Sequence, residues 1–457
     1  MKSPKSYLCR IAILLIAIGS MAFLYWHGYH KAFDEKYIPQ NTDAIAMVDV
    51  KNIRNYFVFS CLKNPSDCQW NSTDSEFRKR FDLSNFGIKT PDYLAFFHIE
   101  NQPISQWFFS AKIENETVFE KAITKAHSQK VILQNGMTSY YFNSLNLYII
   151  KYSNQILVSN ISEKQMLTAV KVADDLFLKK LLLDAKKIEK TIGTHNAITF
   201  WIKKNILLEK DGILNLKLED HEITVDGQLH FKSKYKKESQ FLQNPNALFS
   251  LGFDFEMIRN QNILKLNSNK INKIVGFDLD SILAQNPTKT ELLLNKIVQK
   301  KDSAISYDYD DDFNPIKKVV IHTSYEPSFY FSMQTTDSKK VYDYLKDLNV
   351  IDNHQIFVNF PLAITKTSIR NNALTLEANP LKKLNLEPSP PKIGYLQFHF
   401  NKLQPEDWRI FISKNKNFTF LKSFESLEMN LSKENNTSHF RASLKTKDAK
   451  NLISVIK

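Results

Sequence analysis

The chain has 457 residues, of which 43% are hydrophobic and 24% charged, and its formal net charge is +13. That length allows two to four domains at roughly 100–200 residues each, and 33 Phe with 18 Tyr supply enough apolar side chain to exclude wholesale disorder. Glycine is scarce: the chain has 10, and no pair lies closer than Gly19 and Gly28, so GxG occurs nowhere. The glycine-rich phosphate cradles and the GxSxG elbow are therefore excluded in their usual form, and HExxH and CxxC are absent as well.

Taken in chain order, the first feature is apolar. Residues 11–26 carry no charge, and with residues 7–10 they make a stretch of twenty. At about 1.5 Å per residue this spans a hydrocarbon core of roughly 30 Å. Arg10 can snorkel to the inner headgroups, and Tyr25 and Trp26 suit the outer interface. Lys2, Lys5 and Arg10 precede the run with no acid among them, whereas Lys31, Asp34, Glu35 and Lys36 follow it. The positive-inside rule puts the N-terminus in the cytoplasm and the bulk of the chain outside, giving a single-pass protein of the inner (plasma) membrane. The rival reading is a signal peptide cleaved after Ser20-Met21-Ala22, but the apolar run continues through Trp26. Cys9 lies on the wrong side of the run for a lipobox.

Beyond residue 31 the chain carries 57 Lys and Arg against 48 Asp and Glu, and only eight of its 61 basic residues are Arg. Nucleic-acid binders cluster their basic residues and favour the Arg fork. Here Lys is spread throughout, so no nucleic-acid partner is expected. Cys61 and Cys68 flank a six-residue stretch and, outside the cytoplasm, can close a short disulfide loop. The alternative is two unrelated cysteines.

Internal similarity organises the rest. Gln40–Val50, then Ile53-Arg54-Asn55, recurs as Gln243–Phe253, then Ile258-Arg259-Asn260. Residues 95–100 and 106–113, read as a hairpin followed by a helix over 117–126, match 319–324 and 328–334 followed by a helix over 337–345. Asp337 is the expected N-cap of that second helix, and Val118, Ile123, Val341 and Leu345 are the expected buried positions. Residues 148–160 match 364–379, residues 196–203 match 394–401, and residues 229–242 match 438–452. The resulting expectation is an α+β fold: residues 1–31 as cytoplasmic stub and transmembrane signal anchor, then two tandem, internally duplicated units of antiparallel sheet with covering helices, 32–243 and 244–457. Residues 387–392, with three prolines, read as an extended connection.

The opening Tyr37-Ile38-Pro39-Gln40-Asn41-Thr42-Asp43-Ala44-Ile45-Ala46-Met47-Val48-Asp49-Val50-Lys51, together with the anchor and the duplication, resembles uncharacterised signal-anchored envelope proteins of Gram-negative bacteria. In those a strand of this pattern opens a long exported α+β region. The resemblance implies no activity and transfers no catalytic residue.

Candidate chemistry is sparse. Asp308, Asp310 and Asp312 alternate within Tyr307–Pro315, and hard oxygen ligands at that spacing can gather Ca²⁺, the one cofactor considered. Phe313 and Val319 occupy the positions where an EF-hand needs Gly and an acid, so the stretch reads first as an acidic surface turn leading into a strand. His98, His322 and His399 lie in strands without zinc spacing, and His221 and His230 flank a predicted hairpin over 222–229. Trp107-Phe108-Phe109 and Phe329-Tyr330-Phe331 read as core, or as the lining of a groove between the halves. No catalytic residue can be named. The leading functional expectation is a non-catalytic binding or scaffolding module whose partners are the membrane and other envelope proteins or lipid. An exported hydrolase with an unidentified active site and a lipid-handling carrier with an apolar groove are the alternatives.

Overall fold

The structure is a computed structural model that describes residues 28–33, 38–67, 83–125, 128–161, 165–205, 207–232, 237–256, 272, 277–358, 363–379, 387–405, 407–408, 416–434 and 437–455. It divides into two units, residues 1–229 with 451–457, and residues 230–450.

The first unit contains β1 (Thr42–Asp49), α1 (Val50–Lys63), β2 (Tyr93–Ile99), β3 (Phe108–Lys112), α2 (Glu116–Lys125), β4 (Gln129–Ile132), β5 (Thr138–Phe142), β6 (Leu147–Tyr152), β7 (Gln155–Ser159), α3 (Met166–Ala173), α4 (Ala185–Glu189), β8 (Ile198–Ile202), β9 (Gly212–Leu218) and β10 (Glu222–Leu229). β1 lies between β2 and β8. β3 joins β2 to β7, β7 pairs with β6, and β8, β9 and β10 follow in order. β4 and β5 extend the sheet beyond β6. All of these pairings are antiparallel.

β6 is covered on both faces. Tyr148 and Ile150 enter a cluster with Phe97, Phe108 and Trp201, capped by Ala169, Val172 and Ala173 of α3. Ile149 points the other way, to Phe119 and Ile123 of α2. This is why residues 148–150 are a continuous apolar run rather than an alternation. On α2, Phe119 takes the buried position expected of Val118, because Phe119 and Ile123 are four apart and share one face.

The second unit contains β11 (Leu242–Gln243), β12 (Phe249–Asp254), α5 (Leu279–Leu283), β13 (Lys289–Tyr309), β14 (Pro315–Gln334), α6 (Ser338–Asp347), β15 (Thr365–Arg370), β16 (Ala373–Ala378), β17 (Glu387–Pro388), β18 (Gly394–His399), β19 (Phe424–Glu434) and β20 (Thr437–Thr446). α7 (Leu452–Val455) belongs to the first unit. The second unit repeats the pairing scheme of the first. β12 lies between β13 and β18, as β1 lies between β2 and β8. β14 joins β13 to β16, as β3 joins β2 to β7. β15 closes on β16, and β18, β19 and β20 run in sequence. α6 is N-capped by Asp337, whose carboxylate accepts from the Lys340 amide at 3.1 Å, and buries Val341 and Leu345 against Ile282, Met333 and Leu374.

Three expectations need correction. First, the described residues do not form the expected α+β fold. Antiparallel sheet dominates, and the longest helix described, α1, has 14 residues. No helix among the described residues is long and apolar enough to cross a membrane, which says nothing of a crossing made by strands. Residues 1–27, with Arg10, Tyr25 and Trp26, lie outside the described residues. Strand prevails because the β-branched and aromatic residues alternate with period two over most of the chain, which suits a half-buried pleated surface.

Second, residues 319–324 and 328–334 are not two arms of a hairpin. They form one continuous strand, β14, and the counterpart of β2 is β13. Tyr325-Glu326-Pro327 does not turn. Pro327 sits opposite Ile297 beside a bulge between Leu294 and Lys296, where a missing N–H is tolerated. Third, residues 222–229 are one strand, β10, so His221 and His230 stand at its opposite ends, roughly 30 Å apart at about 3.3 Å per residue.

Turn chemistry accounts for the missing glycine. Of the fourteen non-glycine residues with positive φ among those described, eight are Asn. Asn371 and Asn372, at φ 47° and 58°, make the two-residue turn between β15 and β16 that Gly would otherwise serve.

Candidate functional site

The most distinctive surface of the second unit is the outer part of the β13–β14 hairpin. β12 pairs with β13 only over Lys289–Leu294, and β16 pairs with β14 only over Phe329–Gln334. Beyond these anchors the two strands, among the described residues, pair only with each other, from Lys296↔Ser328 to Tyr309↔Pro315. Fourteen residues at about 3.3 Å make a two-stranded arm of roughly 45 Å. Its root is held by the bulge at Asn295, whose side chain accepts from Asn244 at 3.0 Å and whose carbonyl accepts from the Leu248 amide at 3.2 Å. A second tie is Glu326, which is buried, pairs with Lys300 at 2.8 Å and accepts from Asn379 at 3.3 Å.

Opposed residues of an antiparallel pair share a face, so the register sorts the arm's side chains. One face carries Lys301, Ser303, Ile305, Tyr307 and Tyr309 opposite Thr323, Ile321, Val319, Lys317 and Pro315. The other carries Asp302, Ala304, Ser306 and Asp308 opposite His322, Val320, Lys318 and Ile316. The first face is largely apolar and the second largely polar. Ile305 (63%), Tyr309 (65%), Val319 (66%) and Ile321 (65%) are all solvent-exposed. Scattered exposed apolar residues are ordinary on a protein surface, but a contiguous stripe on a projecting hairpin marks an interaction surface.

The tip explains the alternating aspartates. Asp310 Oδ1 accepts from the amides of Asp312 at 3.0 Å and Asn314 at 2.7 Å, and the Asp310 amide donates to the Asn314 carbonyl at 3.1 Å. These backbone donors hold the Asp310 carboxyl below the usual carboxylate range. Asp308 is likewise held low by Lys318, its partner at 3.2 Å. The tip closes through Phe313, at φ 61° and 84% exposed. A bulky residue in that region is strained. Asp308 and Asp310 are thus engaged in building the hairpin, and among the described residues no group of three His, Cys, Asp or Glu is placed to hold a metal ion.

Other expected positions are dispersed. Cys61, on α1, is disulfide-bonded, and Cys68 lies outside the described residues. Phe108 is core, Phe109 is half-buried, and Trp107 is half-exposed with its indole N–H on the Ile104 carbonyl at 3.0 Å. Phe329, Tyr330 and Phe331 are half-buried at the root of the arm. His322 is exposed on the arm's polar face. His399 is pulled down by burial and by Lys402.

Two recesses in the first unit hold charged groups, each of about 210 Å³, below the roughly 300–1,000 Å³ usual for ligand sites. In one, Lys203 pairs with Glu100 at 2.6 Å; in the other, Lys151 bridges Glu116 at 2.5 Å and Glu120 at 3.0 Å. Sequence reading missed the arm itself. Its signal was the alternation Ser303, Ile305, Tyr307, Tyr309 on one side of the acidic turn, matched by Val319 and Ile321 on the other.

No family model and no curated protein sequence matches the chain. Solved structures similar to it include three crystal forms of TP0453. Form IV is 13% identical with a TM-score of 0.27, over 42% of this chain and 80% of that one. Form III is 11% identical with a TM-score of 0.25, over 76% and 94%, and form I is 10% identical with a TM-score of 0.22, over 76% and 93%. Likenesses at these scores carry no argument about fold or function.

Proposed function

We propose that this chain is a non-catalytic binding or scaffolding module of the bacterial envelope, held at the inner membrane by its N-terminal segment, and that the β13–β14 arm engages its partner. The placement rests on the apolar run 11–26 and the basic residues before it. The observation that carries the binding role is the apolar stripe of Ile305, Tyr307, Tyr309, Val319 and Ile321, exposed on a stretch of β13 and β14 that, among the described residues, pairs with no further strand. Such strands are an aggregation liability unless covered, which favours a dedicated partner.

Site-specific photocrosslinking tests this in membranes. A photoreactive phenylalanine at Phe313 or Tyr307 of the full chain is expected to give a discrete protein adduct. The same probe at Val131, an exposed residue of β4, is the control. No adduct at the arm, or adducts equally from Val131, would overturn the reading.

A further inference from the structure

Residues 28–32 are bonded to one side of α1 and its surroundings. Asn55 Nδ2 donates to the Gly28 carbonyl at 2.9 Å, and Lys51 Nζ donates to the His30 carbonyl at 2.5 Å. Lys31 reaches Asp49, the N-cap of α1, and the Ala32 amide donates to Asp92 at 2.8 Å. Followed from Ala32 towards the N-terminus, the chain therefore ascends α1 from its cap to Asn55. Lys51, Asn55, Phe59 and Leu62 recur at i, i+4, i+8 and i+11, so they share a helix face. The first half of that face is taken by residues 28–30. On the second half Phe59 and Leu62, with the neighbouring Val58, stand exposed. Only His27 separates Gly28 from Trp26, where the apolar run 11–26 ends, so Trp26 lies within about 7 Å of Gly28. Phe59 and Leu62 lie about 6 and 10 Å beyond Asn55 along the helix axis.

We infer that Val58, Phe59 and Leu62, the exposed end of α1, rest in the outer headgroup region of the membrane that the N-terminal run enters. This rests on the membrane anchoring proposed above and adds which surface of the first unit faces the bilayer. The occupant is lipid because of where the chain leads. An apolar run that starts at Trp26 places that residue at the interface, and the bonds from Gly28 to Ala32 leave no loose linker between the interface and α1. The headgroup layer is roughly 5–7 Å thick on each side of the hydrocarbon, so the exposed end of α1 is within its reach. Three side chains are too few to hold a free protein on a bilayer, but a tethered helix meets lipid at high effective concentration. Charge plays a lesser part. α1 carries Lys51, Arg54 and Lys63 and no acid, which suits anionic headgroups. Lys51 is paired with Asp92 at 3.0 Å, however, and Lys63 with Asp220 at 3.3 Å, so the apolar side chains carry the contact.

Depth-dependent quenching tests this on the full chain in nanodiscs of phosphatidylethanolamine and phosphatidylglycerol. A fluorescent non-natural amino acid is placed singly at Leu62, at Trp26 or at Val131, the exposed β4 residue that serves as control. Each is read against lipids brominated on the acyl chains and against aqueous iodide. Quenching by the brominated lipid is expected to be at least about threefold stronger at Leu62 than at Val131, with iodide showing the reverse order. Val58→Glu with Phe59→Glu is expected to bring the Leu62 probe to the Val131 level. Both positions are exposed, and circular dichroism matching wild type keeps folding out of the result. A Leu62 probe that behaves as Val131 does, or one unmoved by the double substitution, would overturn the inference. If Trp26 is quenched by lipid while Leu62 is shielded from both quenchers, protein covers α1; the inference fails and the anchor stands. If neither Trp26 nor Leu62 is quenched by lipid, the anchor reading fails and the inference with it. Lipid quenching at Leu62 without Trp26 would keep the surface contact and reject the anchor.

Discussion

His98 Nδ1 lies 2.6 Å from Asp43 Oδ1, while its Nε2 lies 3.0 Å from the Pro103 carbonyl oxygen. Both partners are acceptors, and only the imidazolium has two N–H groups to donate. The contact exists because β1 bulges at Asp43: Thr42 faces Ile99 and Ala44 faces His98, so Asp43 is the extra residue and its side chain turns onto the ring. Burial pulls the His98 pKa down, but the Asp43 hydrogen bond and charge, with the Pro103 and Gln102 carbonyls, outweigh it and leave it raised. A raised histidine stabilises the fold fully below its unfolded value of about 6.5 and loses that contribution as pH rises through the folded value. The urea midpoint of the wild type is therefore expected to fall on going up from about pH 6 to pH 8. In Asp43→Asn the histidine loses its countercharge and the His98-linked part of that fall shrinks. An unchanged slope in the variant would show that His98 is not the group responsible.

Glycine substitutions separate two costs. Gly136 and Gly193 have positive φ, yet an added Cβ would meet nothing within 4 Å. Gly87 also has positive φ, and a Cβ there would lie 2.2 Å from the Asn115 carbonyl oxygen and 2.8 Å from the Phe119 amide nitrogen. Both contacts are backbone at the start of α2, which cannot swing aside. Gly136→Ala is expected to cost about 1 kcal/mol from conformation alone. Gly87→Ala should cost clearly more, about 3 kcal/mol, since it also displaces the helix start. Equal losses by thermal denaturation would count against this packing.

Much of the scaffold is legible in the chain. The strand that opens at Thr42 and passes into a helix, and the Asp337 cap, follow from local patterns. What local pattern does not give is whether two apolar stretches with a proline between them turn or run on. At Tyr325-Glu326-Pro327 the answer is set by pairing with Gln299, Val298 and Ile297, residues about thirty positions away. The same limit hid the arm. Asp308, Asp310 and Asp312 look alike in sequence. Only the register shows that Asp308 is a strand residue facing Lys318's strand and that Asp310 closes the turn.

Phe313 offers a local test of the tip. Its φ of 61° is one that Gly adopts freely and a bulky side chain does not, and its side chain is 84% exposed. Phe313→Gly removes the strain at the left-handed position of the turn. The Asp310 amide, bonded to the Asn314 carbonyl at 3.1 Å, should then exchange with solvent about fivefold more slowly, a gain of about 1 kcal/mol. The same variant should weaken association through the arm, because an aromatic contact is lost. Faster exchange in Phe313→Gly would show that the phenyl ring holds the turn rather than straining it.

The root of the arm depends on Lys300 and Glu326, 2.8 Å apart, with the glutamate side chain only 7% exposed. Its Oε2 also accepts from Asn379, while Oε1 is buried with no hydrogen-bond partner among the described residues, so Lys300 is the main offset to its desolvation there. Removing one member of a buried pair strands the other charge, at about 3 kcal/mol, whereas removing both together costs far less. Lys300→Met is expected to lower stability by about that amount, and adding Glu326→Gln to recover most of it, since the amide still fits between Asn379 and the strand. The loss should be local: amides of residues 296–301 and 323–328 should exchange faster in Lys300→Met, while those of β12 and β18 stay protected. A double variant no more stable than Lys300→Met, measured by urea denaturation, would mean that the lysine's aliphatic stem, not its charge, secures the arm.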